Sequence, residues 1–161
     1  MAKKSAGILL FRKIHGQYEF LLVHPGGPFW AKKDAGAWSI PKGIYQEGED
    51  GLAAAKRELF EETGIAAEGN FLALGAFRQP SGKTITAWAI ESDFDPAGLV
   101  SNTFAMEWPP KSGKTAEFPE VDRASWFTAP EALVKVTKGQ LPILAALAAH
   151  LGLFLSAATE K

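Results

Sequence analysis

A run of acidic side chains along one predicted helix constrains this chain more than any other feature of its sequence. Residues 50–63 predict a helix, with an aspartate placed to cap its first turn and Gly64 placed to end it. Because successive helical residues turn by about 100°, Glu58, Glu61 and Glu62 fall within one arc of the helix surface. The other side carries apolar residues suited to packing against a sheet, namely Leu52, Ala53, Leu59 and Phe60.

Three carboxylates on one helix face repel each other, at a cost of a few tenths of a kcal/mol for each like-charged pair. They also lie toward the carboxyl end of the helix, where the helix dipole disfavours anions. A divalent cation such as Mg²⁺ removes this conflict, because it binds carboxylate oxygens. The alternative is a solvated acidic face. Against it stand Arg57, which can pair with Glu61 or Glu49, and Gly43, which suits a tight loop before the helix.

The residues around the helix complete a pattern that belongs to one protein family. Gly43, Glu49 and the run RELFEETGI at residues 57–65 occupy the defined positions of the Nudix box. The chain therefore resembles the Nudix hydrolases, and residues 6–12, 38–43, 48–50 and 87–88 look similar to the diadenosine tetraphosphate hydrolase branch. The resemblance implies an α/β (α+β) fold, the Nudix α/β/α sandwich with a mixed β-sheet, in which the box forms a loop–helix–loop.

The resemblance also implies a reaction. Nudix hydrolases cleave a diphosphate linkage in a nucleoside diphosphate-linked substrate, such as a dinucleoside polyphosphate or a nucleoside triphosphate, using Mg²⁺ or Mn²⁺. By position, Glu61 and Glu62 correspond to metal ligands, and Glu58 corresponds to a ligand or to the general base. Arg57 and Glu49 correspond to residues that fix the orientation of these carboxylates. The expected catalytic residues are therefore Arg57, Glu58 and Glu61.

Further ligands and substrate contacts are expected outside the helix. The backbone of Gly43 and a downstream acid, Glu120 in preference to Glu117, are expected to complete the metal set. Basic side chains near the box are expected to meet phosphate oxygens, and aromatic side chains before it to stack on a nucleobase. These predicted substrate-binding residues are Lys42, Arg78, Lys83, Trp30 and Phe29.

Other functions of a box-bearing chain remain open at this point. An ADP-ribose or nucleotide-sugar pyrophosphatase is one alternative, and Pro80 lies about as far beyond the box as that branch leads one to expect. A non-catalytic nucleotide sensor is another, although such modules usually lose box carboxylates that this chain keeps. Isopentenyl diphosphate isomerase shares the box, but its chemistry requires a cysteine and this chain has none.

The overall composition sets the expected partners. A chain of 161 residues with a net charge of −1 predicts a single domain over residues 1–161, with a flexible tail at 156–161. Near-neutral charge gives no pull toward a nucleic acid polymer or an anionic membrane. The most apolar stretch, residues 141–155, is too short to span a bilayer. We therefore expect a cytoplasmic monomer or homodimer that binds a nucleotide-like small molecule.

Turn residues and apolar runs predict the remaining elements. A hairpin is expected at residues 6–11 and 18–23 because His15-Gly16-Gln17 supplies turn chemistry between two apolar runs. Further predicted strands lie at residues 38–41, 71–77, 84–91, 102–108 and 123–127. Predicted helices follow at residues 130–136 and 141–155, and residues 109–119 are predicted to form a loop.

Overall fold

The computed structural model describes residues 3–153, so the predicted tail at 156–161 and the end of the last predicted helix lie outside the described residues. The strands of this part are β1 (Lys4–Ile14), β2 (Gln17–Pro25), β3 (Lys42–Ile44), β4 (Leu72–Arg78), β5 (Thr84–Glu91), β6 (Thr103–Glu107), β7 (Thr115–Pro119) and β8 (Val121–Thr128). The α-helices are α1 (Gly51–Thr63), α2 (Ala129–Lys135) and α3 (Leu141–His150). Within residues 3–153, no helix has the length and apolar character needed to cross a membrane.

A mixed sheet forms the centre of the molecule. Its strands follow the order β4-β5-β1-β2-β8, and β3 adds a short pairing with β1. β1 and β5 run parallel, whereas the other pairs of this sheet are antiparallel. The predicted hairpin joins β1 to β2 through His15 and Gly16, which both have positive φ angles, of 51° and 80°. Two such residues in succession suit a tight hairpin turn, because their twist matches that of the strands.

Helices cover both faces of the sheet. On one face Ala6, Ile8 and Leu10 of β1 belong to the apolar cluster that includes Leu59 of α1. On the other face Leu9 of β1 belongs to the cluster formed with the inward side of α3. β1 is buried from both sides, which explains its continuous apolar run. The resulting α/β/α arrangement with a mixed sheet confirms the predicted fold class.

The predicted boundaries of the first helix are confirmed. The side chain of Asp50 accepts a hydrogen bond from the Ala53 amide at 2.9 Å and so caps the amino end of α1. Gly64 closes the carboxyl end with a φ of 83°, and its amide donates to the Phe60 carbonyl at 2.7 Å. A side chain other than glycine would strain this left-handed position.

The predicted packing face of the helix is wrong in part. Leu59 is buried as expected, but Ala53 is exposed and the Phe60 side chain is 57% exposed. The buried side of α1 instead carries small or short residues, namely Ala54, Ala55, Leu59 and Thr63. Because 100° steps place Glu58 and Glu62 close to this buried arc, the carboxylates share the sheet-facing side instead of opposing it.

Three further element predictions need correction. Residues 38–41 form only isolated bridges, of Trp38 with Val136 and of Ser39 with Val23, and the strand that pairs with β1 is formed by the next residues, β3. The predicted loop at 109–119 contains β7, which pairs with β6 in a separate hairpin. The last helix ends at His150, since Gly152 follows with a φ of 74°.

Candidate active site

A cleft of about 900 Å³ opens where β3, the carboxylate side of α1 and the junction of β7 with β8 come together. This volume lies within the range of roughly 300–1,000 Å³ that is usual for small-molecule sites. The turn between β4 and β5 and the connection from α2 to α3 supply further lining residues. The charged side chains that line the cleft are Lys42, Glu58, Glu62, Lys83, Glu120 and Lys138. Carboxylates and ammonium groups in one cleft can bind a cation and an anion side by side.

The two carboxylates of α1 in the cleft are held against the strand that precedes the box helix. The backbone amide of Lys42 donates to Glu62 Oε1 at 3.3 Å. Gly43 lies so close to Glu58 that a Cβ added at residue 43 would be 2.0 Å from Glu58 Oε1. Only glycine leaves room for the carboxylate in this position, which explains in physical terms why the box begins with it.

Arg57 gathers the neighbouring acids. Its guanidinium donates to Glu58 Oε2 at 2.8 Å, to Glu49 Oε2 at 3.2 Å and to Glu61 Oε2 at 3.5 Å. A planar fork with several donors can hold carboxylates in fixed directions. This arrangement agrees with the predicted orienting role of Arg57 and Glu49. Glu61 points to Arg57 and is not among the residues that line the cleft, so its predicted catalytic and metal-binding roles stay predictions.

Burial perturbs the acids of the cleft. Burial raises the pKa of Glu62 to about 8, against the attraction of Lys42 and the hydrogen bond from its amide. Burial also raises the pKa of Glu58, and the charges of Glu61 and Glu120 add to this effect while Arg57 opposes it. Glu120 lines the same cleft as the two helix acids, and its charge adds to the raised pKa of each. Glu117 instead approaches Thr103 within the β6–β7 hairpin at 3.4 Å.

The donor set fits a hard divalent cation. Within residues 3–153, no three acidic or histidine side chains already stand in metal-binding geometry. The two helix acids of the cleft have other partners in the structure, since Arg57 donates to Glu58 and the Lys42 amide donates to Glu62. Burial disfavours the charged form of a carboxylate, and a cation bound beside it would favour that form again. Oxygen ligands in such a setting match the preference of Mg²⁺.

The predicted substrate-binding residues divide into two groups. Lys42, Lys83 and Trp30 line the cleft, and the Trp30 side chain is 41% exposed. Phe29 and Arg78 are not among the residues that line it, and their substrate-binding roles stay predictions. The Phe29 ring instead meets the ring of Trp108 on the hairpin, with centroids 5.6 Å apart. Arg78 lies exposed on β4, the edge strand of the sheet.

One wall of the cleft consists of residues that no sequence motif indicates. Lys138, Gly139 and Gln140 lie between α2 and α3, far along the chain from the box, and all three line the cleft. Gln140 is buried, accepts a hydrogen bond from the Ile40 amide at 2.9 Å and donates to Ser39 Oγ at 2.9 Å. The segment before the box is therefore fixed by a residue about a hundred positions away, which no local pattern indicates.

Comparison with known proteins also points to the Nudix hydrolases. The protein-family sequence model of the NUDIX domain matches residues 1–147. The asymmetrical bis(5′-nucleosyl)-tetraphosphatase of Caenorhabditis elegans is 40% identical over 68 residues, which is 42% of this chain and 45% of that protein. Nudix hydrolase 7 of Arabidopsis thaliana is 40% identical over 75 residues, 47% of this chain and 24% of that protein. The matched segments thus span less than half of these curated relatives.

Solved structures share the fold. The NUDIX domain of Shewanella oneidensis NrtR, complexed with ADP ribose, superposes with a TM-score of 0.66 at 16% identity, over 94% of this chain and 89% of that one. A binary complex of the C. elegans Ap4A hydrolase gives a TM-score of 0.64 at 22% identity, over 92% of this chain and 98% of that one. With the family model matched over most of the sequence, the predicted membership is confirmed: the chain belongs to the NUDIX family of hydrolases.

Proposed function

We propose that this chain is a Mg²⁺-dependent hydrolase, able to use Mn²⁺ instead, that cleaves a diphosphate linkage in a nucleoside diphosphate-linked substrate. The observation that carries this proposal is the joint presence of Glu58, Glu62 and Glu120 with lysines in one cleft of about 900 Å³. Ammonium groups attract phosphate oxygens, whereas carboxylates bind the hard cation that accompanies a polyphosphate. A cleft with only lysines would bind the phosphates, and one with only carboxylates would bind the cation, whereas this cleft can bind both.

Each residue then has a definite task. Glu62 and Glu61, with the backbone carbonyl of Gly43 and the side chain of Glu120, would hold the cation, and Glu61 would leave its 3.5 Å contact with Arg57 to do so. A Mg²⁺ ion bound there would neutralise phosphate charge and acidify a bound water. Glu58 accepts the proton of the attacking water, and burial favours this role because it raises the pKa of Glu58 and so makes the carboxylate a stronger base.

The remaining residues bind and orient. Arg57 holds the Glu58 carboxylate toward the cleft through its hydrogen bond of 2.8 Å. Lys42, Lys83 and Lys138 approach the phosphate oxygens from β3 and from two turns. Trp30 offers a partly exposed ring beside the phosphate site, which suits stacking on a nucleobase.

A substrate panel tests the reaction class. We expect phosphate-anhydride cleavage in the presence of Mg²⁺ and none in EDTA, with the label from ¹⁸O water in one phosphate product. Glu58→Gln and Glu62→Gln should each lose about 10²–10⁴-fold in kcat, the range of general acid–base and metal contributions. Glu47→Gln, a change of an exposed acid outside the cleft, is the matched control. Full activity of Glu58→Gln and Glu62→Gln would refute the proposal.

Dinucleoside polyphosphates are the substrate class that we favour. The support is the 40% identity over 68 residues to a protein named bis(5′-nucleosyl)-tetraphosphatase. ADP-ribose is the second candidate, supported by the fold neighbour that was solved with that ligand and by Pro80 in the cleft lining. Measurement of kcat/KM for both substrates separates the candidates. The kcat/KM for diadenosine tetraphosphate should exceed that for ADP-ribose by about tenfold or more if the chain is a dinucleoside polyphosphate hydrolase, and the reverse should hold if it is an ADP-ribose hydrolase.

A nucleotide sensor without catalysis is the remaining alternative. The intact acids Glu58 and Glu62 in the cleft argue against it. The sensor alternative predicts nucleotide binding in Mg²⁺ without product formation at any time, whereas the enzyme predicts turnover. The single-domain organisation, the cytoplasmic location and the monomeric or dimeric state stay predictions from the sequence.

A further inference from the structure

Glu120 is the one acid of the cleft that does not come from the box helix, and its main chain is held on both sides. Its amide donates to the Asn102 carbonyl at 2.8 Å. Its own carbonyl accepts a hydrogen bond from the Gly26 amide at 2.9 Å. Residue 120 lies between the end of β7 and the start of β8, so these two bonds fix the junction itself.

The first of these bonds continues to the box helix. The amide of Asn102 donates to the carbonyl of Glu61 at 2.8 Å. A second hydrogen bond joins the same two segments, since the Val100 amide donates to the Thr63 carbonyl at 3.0 Å. These two carbonyls belong to the last turn of α1, where intrahelical partners are lacking. Main-chain hydrogen bonds therefore connect α1, Asn102, Glu120 and Gly26 in series.

Gly26 forms the outer end of this series by very close contact. A Cβ added at residue 26 would lie 2.0 Å from the carbonyl oxygen of Pro119 and 3.0 Å from its carbonyl carbon. Both are backbone atoms, so no side chain can rotate to relieve the contact. An alanine would have to push residues 119 and 120 away from the loop after β2.

We propose that this main-chain series is the device that positions Glu120 toward the acids of α1, and that Gly26 is a positioning residue for it. The inference rests on the proposed function, in which Glu120 faces the cation site. Glu58 and Glu62 repel the exposed carboxylate of Glu120, and this repulsion would move the junction of β7 and β8 away from the cleft if its main chain were free. Fixing its backbone from both sides keeps it at the cleft before a cation arrives, which lowers the cost of binding one.

A double-mutant cycle of Gly26→Ala and Glu120→Gln tests the proposal on the full chain. Glu120→Gln should lower kcat/KM for the preferred diphosphate substrate by about 10–100-fold, as for residues that tune a metal site. Gly26→Ala should lower it by a similar factor. Because Gly26 acts through Glu120, adding Gly26→Ala to Glu120→Gln should change kcat/KM by less than about twofold. Gly98→Ala is the matched control, because its Cβ would meet only Phe94 at 3.8 Å.

A readout without substrate accompanies the kinetics. Mg²⁺ raises the Tm of a protein that binds it only when folded. We expect this rise to shrink in Gly26→Ala and in Glu120→Gln, and to remain in Gly98→Ala. Independent, multiplying losses in the double variant would overturn the proposal, as would a Gly26→Ala variant with unchanged kinetics and Mg²⁺ response.

Two further outcomes are informative. If Gly26→Ala does not fold, amide hydrogen exchange of the unmodified chain decides, since the Gly26 and Glu120 amides should be protected like those of β8. Exchange at loop rates would overturn the proposal. If Glu120→Gln keeps full activity while Glu58→Gln is inactive, this inference fails and the proposed function stands. An active Glu58→Gln variant would instead remove the proposed function.

Discussion

Replacement of Glu62 by glutamine should stabilise the metal-free protein at neutral pH while it abolishes activity. Burial raises the pKa of Glu62 to about 8 in the folded chain, whereas the reference value is 4.5. The folded state therefore binds the proton more tightly than the unfolded state, and folding stability falls as the pH rises from about 4.5 to about 8. Glutamine cannot ionise, yet its oxygen can still accept the Lys42 amide hydrogen bond of 3.3 Å.

The size of the effect follows from the difference between the two pKa values. At pH 7 the acid is ionised in the unfolded chain and still mostly protonated in the folded chain, which costs about 3 kcal/mol relative to pH 4.5. For a domain of this length that free energy corresponds to a Tm difference of roughly 6–12 °C. We expect Glu62→Gln and the unmodified chain to melt together near pH 4.5 and to separate by this amount at pH 7.

Thermal and urea unfolding in EDTA at both pH values measures the difference. Glu47→Gln serves as the control for loss of one exposed acid. Added Mg²⁺ at a hundred times its Kd should restore about 2.7 kcal/mol to the unmodified chain and little to Glu62→Gln. An equal Tm difference between the two proteins at pH 4.5 and pH 7 would refute the reasoning, because it would mean that ionisation of Glu62 is not the cause.

Three other changes probe the site and the helix. Gly43→Ala should remain folded but lose about tenfold or more in kcat, because its Cβ would lie 2.0 Å from Glu58 Oε1 and so displace the carboxylate. An unchanged kcat in steady-state kinetics with Mg²⁺ would contradict this. Lys138→Gln should raise KM several-fold with little effect on Tm, while Arg78→Gln, outside the cleft, should leave KM unchanged; equal KM effects would reject the assigned lining. Asp50→Ala should lower stability by about 0.5–2 kcal/mol in urea unfolding through loss of the helix cap, and no loss would show that the cap is dispensable.

The features that the sequence could predict are those with a local cause. The caps of α1 depend on Asp50 and Gly64, which act on the backbone within four residues. The hairpin between β1 and β2 depends on two adjacent residues that tolerate positive φ. The acids of the box occur within one helix, so their common face follows from the angle per residue.

The features that the sequence could not predict depend on distant approaches. Gln140 fixes the segment before the box through Ile40, a hundred residues away. Lys138 reaches the cleft only because the connection between α2 and α3 passes beside the β4–β5 turn, where Gly139 allows close contact with Gln79. The sequence of β7 predicts a loop, because the strand depends on pairing with β6 and its own five residues do not specify it.

The packing face of α1 shows why an apolar pattern alone was misleading. Phe60 is the largest apolar residue of the helix, yet it is exposed, and Ala54 and Ala55 face the sheet. Small residues let the helix approach closely, and that closeness brings Glu62 into a partly buried position beside β3. Burial of an acid lowers folding stability, yet the proposed cation site depends on it.

The most direct test is anomalous diffraction from crystals soaked in Mn²⁺ together with a non-hydrolysable diphosphate nucleotide. The account predicts a strong anomalous peak in the cleft, with oxygens of Glu62, of Glu120 and of the diphosphate at bonding distance and the lysine side chains turned toward the phosphates. A cleft without a peak, or a manganese ion bound elsewhere while the nucleotide occupies the cleft, would contradict the account.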